Sequence, residues 1–254
     1  MAIKGKKFNY KHYLRRAHRY LGVFIGVQFI LWTIGGLYFS WTNLDEIHGD
    51  HLKKHKHISL ELPAETISPA IVATTLRSTI KNARIEKIYV IEALGSYFYA
   101  IEHLADDTRS TRLYNVENGE LRPSISSVEA GEIAKSAFAL PGEPSKIEYV
   151  SAENIGKHHE YREKPLPAWA VTFDNNASVY VSAETGQIGA IRTDKWRVFD
   201  FLWMLHTMDF EGRDNFNNYV LRGFSILGLS TVLSGFLLFF VSSRLVRRLA
   251  WRRR

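Results

Sequence analysis

Tyr20–Leu44 reads YLGVFIGVQFILWTIGGLYFSWTNL, 25 residues without a charged side chain. About 20 apolar residues at ~1.5 Å per residue cross the ~30 Å hydrocarbon core of a bilayer, so this run is long enough to span one. Trp32, Tyr38, Phe39 and Trp41 gather toward its far end, as an interfacial aromatic belt requires. A cleavable signal peptide is the competing reading. Against it, the stretch exceeds the usual ~7–15 residue apolar region of a signal, and no A-x-A site comes after it. A second uncharged run of 21 residues, Gly223–Ser243 (GFSILGLSTVLSGFLLFFVSS), is bracketed by Arg222 and Arg244. The bracketing favours a second span over a buried core helix.

Working outward, the charge of this 254-residue chain explains itself. There are 33 Lys+Arg against 26 Asp+Glu, a net +7. Residues 1–19 hold seven basic residues and no acid, and residues 242–254 hold six more and no acid. Removing those 13 from +7 leaves −6 for everything between. The body is acidic, which excludes a nucleic-acid-binding face. Basic flanks at the start of the first span and the end of the second place both termini in the cytoplasm by the positive-inside rule. Residues between the spans then face the periplasm. The chain has no cysteine, so disulfides, thiolate metal sites, iron–sulfur clusters and Cys nucleophiles are excluded.

Within the intervening segment a pattern repeats. Thr111–Leu121 (TRLYNVENGEL) and Ser178–Ile188 (SVYVSAETGQI) each end in acid–x–Gly–polar–apolar, with Gly119 and Gly186 67 residues apart. Tyr97–Glu102 and Ala168–Phe173 read as preceding strands, and Ser68–Ile80 and Ser127–Phe138 as helices opening on a capping Ser. The pattern predicts an α+β domain built from a duplicated unit of one helix and antiparallel strands, inserted between two transmembrane helices. The expected organisation is a basic N-terminus (1–19), a first span (20–44), a periplasmic domain (45–193, units about 60–122 and 127–191), an interfacial aromatic helix and loop (194–219), a second span (220–243) and a basic tail (244–254).

Pro167–Ile191 (PAWAVTFDNNASVYVSAETGQIGAI) resembles the PepSY domain. Leu14–Gly22 (LRRAHRYLG) is similar to the R-x-x-H-R-x-x-G opening of the PepSY-associated transmembrane family of bacterial inner-membrane proteins, and Leu205-His206 with Ser234-Gly235 to its L-H … (T/S)-G stretch. The resemblance covers nearly the whole chain. It implies a role in iron uptake, since longer members of the family include periplasmic ferric-siderophore reductases that hold b-type haem between His pairs. This chain has two spans rather than four or more, which puts a complete transmembrane electron path in doubt. PepSY units also serve as binding or inhibitory modules attached to proteases.

Ten histidines are the candidates for chemistry. His18 and His206 are the cofactor-ligand candidates by the family motif. His18 sits among Arg15, Arg16 and Arg19 at the cytoplasmic mouth. His206 falls in a stripe with Trp196, Phe199, Trp203 and Phe210 if Lys195–Phe210 is helical. That stripe lies either in the lipid interface or against a flat cofactor. Expected at opposite faces about 30 Å apart, the two cannot bind one haem within one copy, so bis-His ligation calls for a homodimer or a partner redox subunit. His48, His51 and His55 form a third group, on one helix face if that segment is helical, and imidazoles with nearby carboxylates suit Zn²⁺, Cu²⁺ or Fe. Lys53, Lys54 and Lys56 oppose cation binding there. His158-His159-Glu160 reads as a charged loop. No G-x-G-x-x-G after a strand, Walker A, H-E-x-x-H or G-x-S-x-G occurs, so no nicotinamide or flavin site is visible.

Overall fold

The structure is a computed structural model that describes residues 10–54 and 62–243. Along the chain come α1 (Tyr10–Trp41), α2 (Leu44–His48), a 3₁₀ turn (Asp50–Leu52), α3 (Pro69–Thr79), β1 (Arg84–Ala93), β2 (Ser96–Ala105), β3 (Thr108–Asn115), α4 (Ser127–Ala137), β4 (Pro144–Val150), β5 (Ala168–Phe173), β6 (Ser178–Ser182), β7 (Ile188–Arg192), α5 (Asp194–Thr207) and α6 (Tyr219–Ser242). They form two compact units, one holding the described residues up to Thr42 and from Phe199 onward, the other Asn43–Val198.

In the first unit, α1 and α6 are both long and apolar enough to cross a membrane. Among the described residues α1 is already helical ten residues before the uncharged run, where Leu14, Arg15, Arg16 and Ala17 are good helix formers. The two helices pack along small residues. Phe29 fills the space a Cβ at Gly228 would need, 3.2 Å away, and Phe24 stacks on Phe224 at 5.6 Å. Their outer faces expose Val23, Val27, Ile30, Ile226, Leu229, Phe236 and Phe239. Contiguous apolar surface of that kind is stable against lipid and unstable against water.

The second unit is α+β, with two all-antiparallel sheets ordered β1-β2-β3 and β4-β5-β6-β7. α3 buries Val72 and Leu76 against Tyr99, Ile101 and Tyr114 of the first sheet. α4 buries Ala130 and Ala134 against Val171, Phe173, Val179 and Val181 of the second. Ser68 caps α3, with Pro69 at its first position. The cap of α4 is Ser126, one residue earlier than the expected Ser127, because Glu129 completes a capping box with it. β1 and β4 are additional to the strands expected from the repeat. Both are edge strands, β1 exposed at four of ten residues and β4 at four of seven, so neither needs a regular apolar alternation.

The two units of helix and sheet close with the same hydrogen bonds. Gly119 N–H donates to Asn115 O and Asn115 N–H to Glu120 O, while Gly186 N–H donates to Ser182 O and Ser182 N–H to Gln187 O. Ile67 N–H donates to Val116 O as Ile125 N–H does to Ala183 O. The middle strand then sends an aromatic donor to that isoleucine's carbonyl: Tyr99 OH to Ile67 O at 2.9 Å and Trp169 Nε1 to Ile125 O at 2.7 Å. Both glycines are left-handed, φ +72° and +74°. Beyond the turns the two units diverge. Leu121 makes an isolated bridge to Tyr114, whereas Ile188 begins a full strand.

Candidate functional site

His18 lies on the face of α1 that meets α6. Its Nδ1 is 2.7 Å from Ser234 Oγ, and its ring covers Gly235, where a Cβ would sit 3.1 Å from Cε1. Its partner selects the tautomer of the neutral ring. The single hydroxyl proton of Ser234 is donated to Thr231 O, 2.7 Å away along α6, so the oxygen accepts from His18 and Nδ1 carries the hydrogen. In that neutral ring Nε2 carries the lone pair. A second partner fixing one imidazole nitrogen so that the other can coordinate is the arrangement that haem- and metal-binding histidines use. Small residues at 234 and 235 let the ring approach the α6 backbone.

His206 lies on α5, beside the C-terminal half of α1. Phe199, Trp203 and His206 stack in a row, the planes tilted by 16° and 12°. Phe39 covers Phe199 at 4.9 Å and His206 at 5.9 Å, and Trp32 lies 6.1 Å from His206. The stripe is therefore packed on α1, with its rings half-buried. His206 Nδ1 is buried without a hydrogen-bond partner. Trp32 Nε1 donates to His206 O and Gln28 Nε2 to Leu205 O, satisfying last-turn carbonyls that a helix end leaves open. Phe210 drops out of the expected stripe because α5 ends at Thr207 and Met208 is left-handed, φ +54°. Trp32 is 14 residues from His18 along α1, about 21 Å, closer than the expected 30 Å and still too far for one iron in one copy.

The loop after α5 is built around Asp209. Its carboxylate accepts from the backbone N–H groups of Glu211, Gly212 and Asn215. Burial pushes its pKa up, but those donors outweigh burial and hold it below the usual range. Arg213 pairs with Asp200, and Trp203 Nε1 donates to Asp214 at 2.9 Å. Asn218 caps α6 and donates back to Thr207 O. The Asp209-x-x-Gly212 spacing is a turn signature available in the sequence.

The third histidine group is divided. α2 ends at His48, Gly49 is left-handed, and His51 belongs to the separate 3₁₀ turn. The expected continuous helix face is therefore interrupted, and His55 lies outside the described residues. Among the described residues no three His, Asp or Glu side chains are grouped as a metal site.

Glu160, in the segment expected to be a charged loop, is instead the centre of a half-buried ionic cluster. It accepts from Arg197 Nε at 2.7 Å, Arg197 Nη2 at 3.1 Å and Tyr180 OH at 2.9 Å. Arg192 Nε donates to Glu160 O, and its guanidinium lies 4.1 Å from the Trp196 ring. Burial pushes Glu160 up, but the Arg197 bonds and charge, with Tyr180 and Ser178, hold it below the usual carboxylate range. Burial and the neighbouring carboxylate push the Tyr180 phenol well up. Arg197 is 37 residues away in sequence, so no local spacing signals the pair.

No protein-family model and no curated protein matches the chain. Among solved structures it is similar to a chain described as a lipoprotein of Clostridium difficile 630, at 10% identity and a TM-score of 0.23, over 54% of this chain and 99% of that one. It is also similar to the YpeB C-terminal domain of Bacillus megaterium, at 10% identity and a TM-score of 0.20, over 53% of this chain and 66% of that one. At TM-scores this low neither likeness carries weight for fold or function.

Proposed function

We propose that this chain is a two-pass protein of a bacterial inner membrane, with both termini cytoplasmic, that anchors a tandem PepSY-like domain in the periplasm and presents it to a partner protein. The repeated turn network supports the duplication: four backbone or side-chain features of the first unit recur in the second, the glycine turns 67 residues apart. The charge distribution supports the orientation, since the basic residues cluster at the two ends and the body is acidic. Edge strands β1 and β4 offer a partner's extended segment a place to add a strand. A reporter fused to the C-terminus tests the orientation. Cytoplasmic behaviour is expected, and a periplasmic signal overturns it.

One observation favours a second, redox reading that resemblance to the PepSY-associated transmembrane family suggests. With Nδ1 bonded to Ser234, a neutral His18 ring carries its lone pair on Nε2, so His18 would serve as one ligand of a b-type haem. His206 differs from His18 in that its Nδ1 is buried without a hydrogen-bond partner to fix the tautomer. When bound, haem would supply one-electron transfer of the kind used in iron–siderophore reduction. Within this chain, His18 would hold the iron, Ser234 would fix the tautomer, and a second copy or a partner redox subunit would complete the ligation. Oxidised and dithionite-reduced spectra of the detergent-purified protein decide between the readings. Sharp reduced bands lost in His18→Ala support haem. A colourless protein from haem-replete cells sinks the redox reading and leaves the binding module.

A further inference from the structure

Residues 151–167 connect β4 to β5, whereas the matching strands of the first unit, β1 and β2, are joined by the two-residue turn Leu94-Gly95. The longer connection folds onto the second sheet. Tyr161 is 1% exposed and stacks on Tyr180 at 4.3 Å with the planes 8° apart. Its neighbours Glu160 and Arg162 thereby meet the end of β7 and the first turn of α5. The Glu160 oxygens are taken by Arg197 and Tyr180. Arg192, the last residue of β7, is left with less. It is 8% exposed, and its Nε donates to Glu160 O at 2.9 Å. Its Nη1 and Nη2 make no hydrogen bond or ion pair among the described residues, and neither atom is sealed from solvent.

A guanidinium carries five N–H donors and stays charged, so a buried one ordinarily meets a carboxylate directly. Arg192 meets the Trp196 ring instead, 4.1 Å from its centroid, and Arg162 lies 5.9 Å from the same ring. Burial lowers the Arg192 pKa most; the Glu160 charge opposes that, and the Arg162 charge adds to it. Arg197 also pairs with Asp194. The cluster therefore sets three guanidiniums, of Arg162, Arg192 and Arg197, against the two carboxylates of Glu160 and Asp194. One positive charge is in surplus, and it coincides with unused donors. A planar, singly charged oxyanion gripped by Nη1 and Nη2 answers both. A phosphate dianion exceeds the surplus and brings extra negative charge toward Glu160.

We propose that Arg192, with Arg162 beside it, forms a subsite for a carboxylate carried on an acidic side chain of a partner's peptide segment. One fork holds a free carboxylate weakly in water. A segment already paired along a strand edge delivers the same group at high effective concentration, and the open edge strand β4 leads directly into the connection that carries Arg162. The first unit, with its two-residue turn, has no equivalent of this connection, so the subsite belongs to the second unit alone. This inference deepens the partner-binding reading above and rests on it.

The test is amide exchange of the full-length protein in mild detergent with a millimolar capped peptide, TVTVGEG, and with its counterpart TVTVGQG. Exchange over residues 158–164 and 189–197 is expected to slow about threefold with the first peptide, as a ligand near twice its Kd produces, and to stay unchanged with the second. Arg192→Met keeps an apolar stem on Trp196 and should abolish the difference. Arg192→Lys keeps the charge without the fork and should reduce it, as should Arg162→Gln. These two decide the matter if the Met variant does not fold, which exchange without peptide shows. Equal slowing by the two peptides overturns the proposal, as does a difference unchanged in both Arg192→Lys and Arg162→Gln. Equal slowing by acetate at the same concentration overturns the peptide source, and slowing by inorganic phosphate overturns the carboxylate. A cytoplasmic C-terminal reporter without the Glu-dependent slowing removes the subsite alone. A periplasmic reporter signal with the slowing removes the proposed membrane display and leaves the subsite.

Discussion

Replacing Arg197 with Met removes the fork that ties the first turn of α5 to the second sheet. Arg197 donates to both Glu160 oxygens, to Ser178 Oγ, to Asn176 O and to Asp194 Oδ1. Without it the Glu160 carboxylate, with a side chain 19% exposed, keeps Tyr180 and the nearby Arg192 charge. Breaking a fully buried pair costs about 3–5 kcal/mol; because Arg197 is 30% exposed, water offsets part of this, and about 2–3 kcal/mol is expected. That corresponds to about 30–150-fold faster opening of β5–β7, read by amide exchange on peptides covering residues 168–192 of the full-length protein in detergent. The pH dependence gives a second reading. The folded Glu160 is held below its unfolded value, so its stabilisation is complete above about pH 4.5–5 and is lost as pH falls through the folded pKa. In R197M burial dominates and Glu160 titrates higher, so the variant recovers stability on acidification. The gap between the two proteins is therefore largest near pH 7 and narrows toward pH 4, after correction for the intrinsic exchange rate. Glu160→Gln added to R197M should relieve part of the loss. A cost under about 0.5 kcal/mol, the range of a neutral surface substitution, a gap independent of pH, or no relief in the double variant would refute this account.

Gly119→Ala and Gly186→Ala should each cost about 1–2 kcal/mol from the left-handed backbone alone, with a further cost at Gly119, where the new Cβ would meet Ile67 Cδ1 at 2.5 Å; urea titration of the full chain checks both, and a neutral effect at either contradicts the shared turn. Ser126→Ala removes the capping box of α4 and should cost about 1 kcal/mol, seen as faster exchange confined to residues 127–137. Gly235→Leu should separate α1 from α6, since even a Cβ lies 3.1 Å from His18 Cε1, lowering the thermal midpoint in detergent, whereas Gly22→Leu, where nothing lies within 4 Å, should leave it unchanged.

The parts of this molecule governed by local chemistry are legible in its sequence. The two apolar runs, the Ser68–Pro69 helix start, the strand Ala168–Phe173 and the paired glycine turns each arise from spacing or from a residue's intrinsic preference. The features that escape reading depend on partners far along the chain. β1 and β4 are edge strands whose exposed residues carry no alternation. Glu160 reads as a solvated loop residue because its partner Arg197 is 37 positions away. The aromatic stripe of α5 reads as either a lipid-facing or a cofactor-facing surface, because periodicity reports that a face is apolar and not what covers it. Phe39 and Trp32 of α1 cover it.

The same distinction bears on the two candidate ligands. His18 and His206 look alike in the sequence, each a histidine in a motif at a membrane edge, yet their surroundings differ in kind. Ser234 donates its only proton to Thr231 O, which makes it the acceptor from His18 Nδ1, so a neutral His18 ring carries its lone pair on Nε2. His206 has a buried Nδ1 with no partner and three aromatic rings around it, so nothing selects its tautomer and its neighbours are already packed. Of the two, His18 is the one whose tautomer a hydrogen-bond partner selects. A Ser234→Ala variant, which keeps the small volume at the seam and deletes the acceptor, therefore separates tautomer control from packing. Haem retention should fall with the helices still associated, and retention equal to the unmodified protein would remove Ser234 from that role.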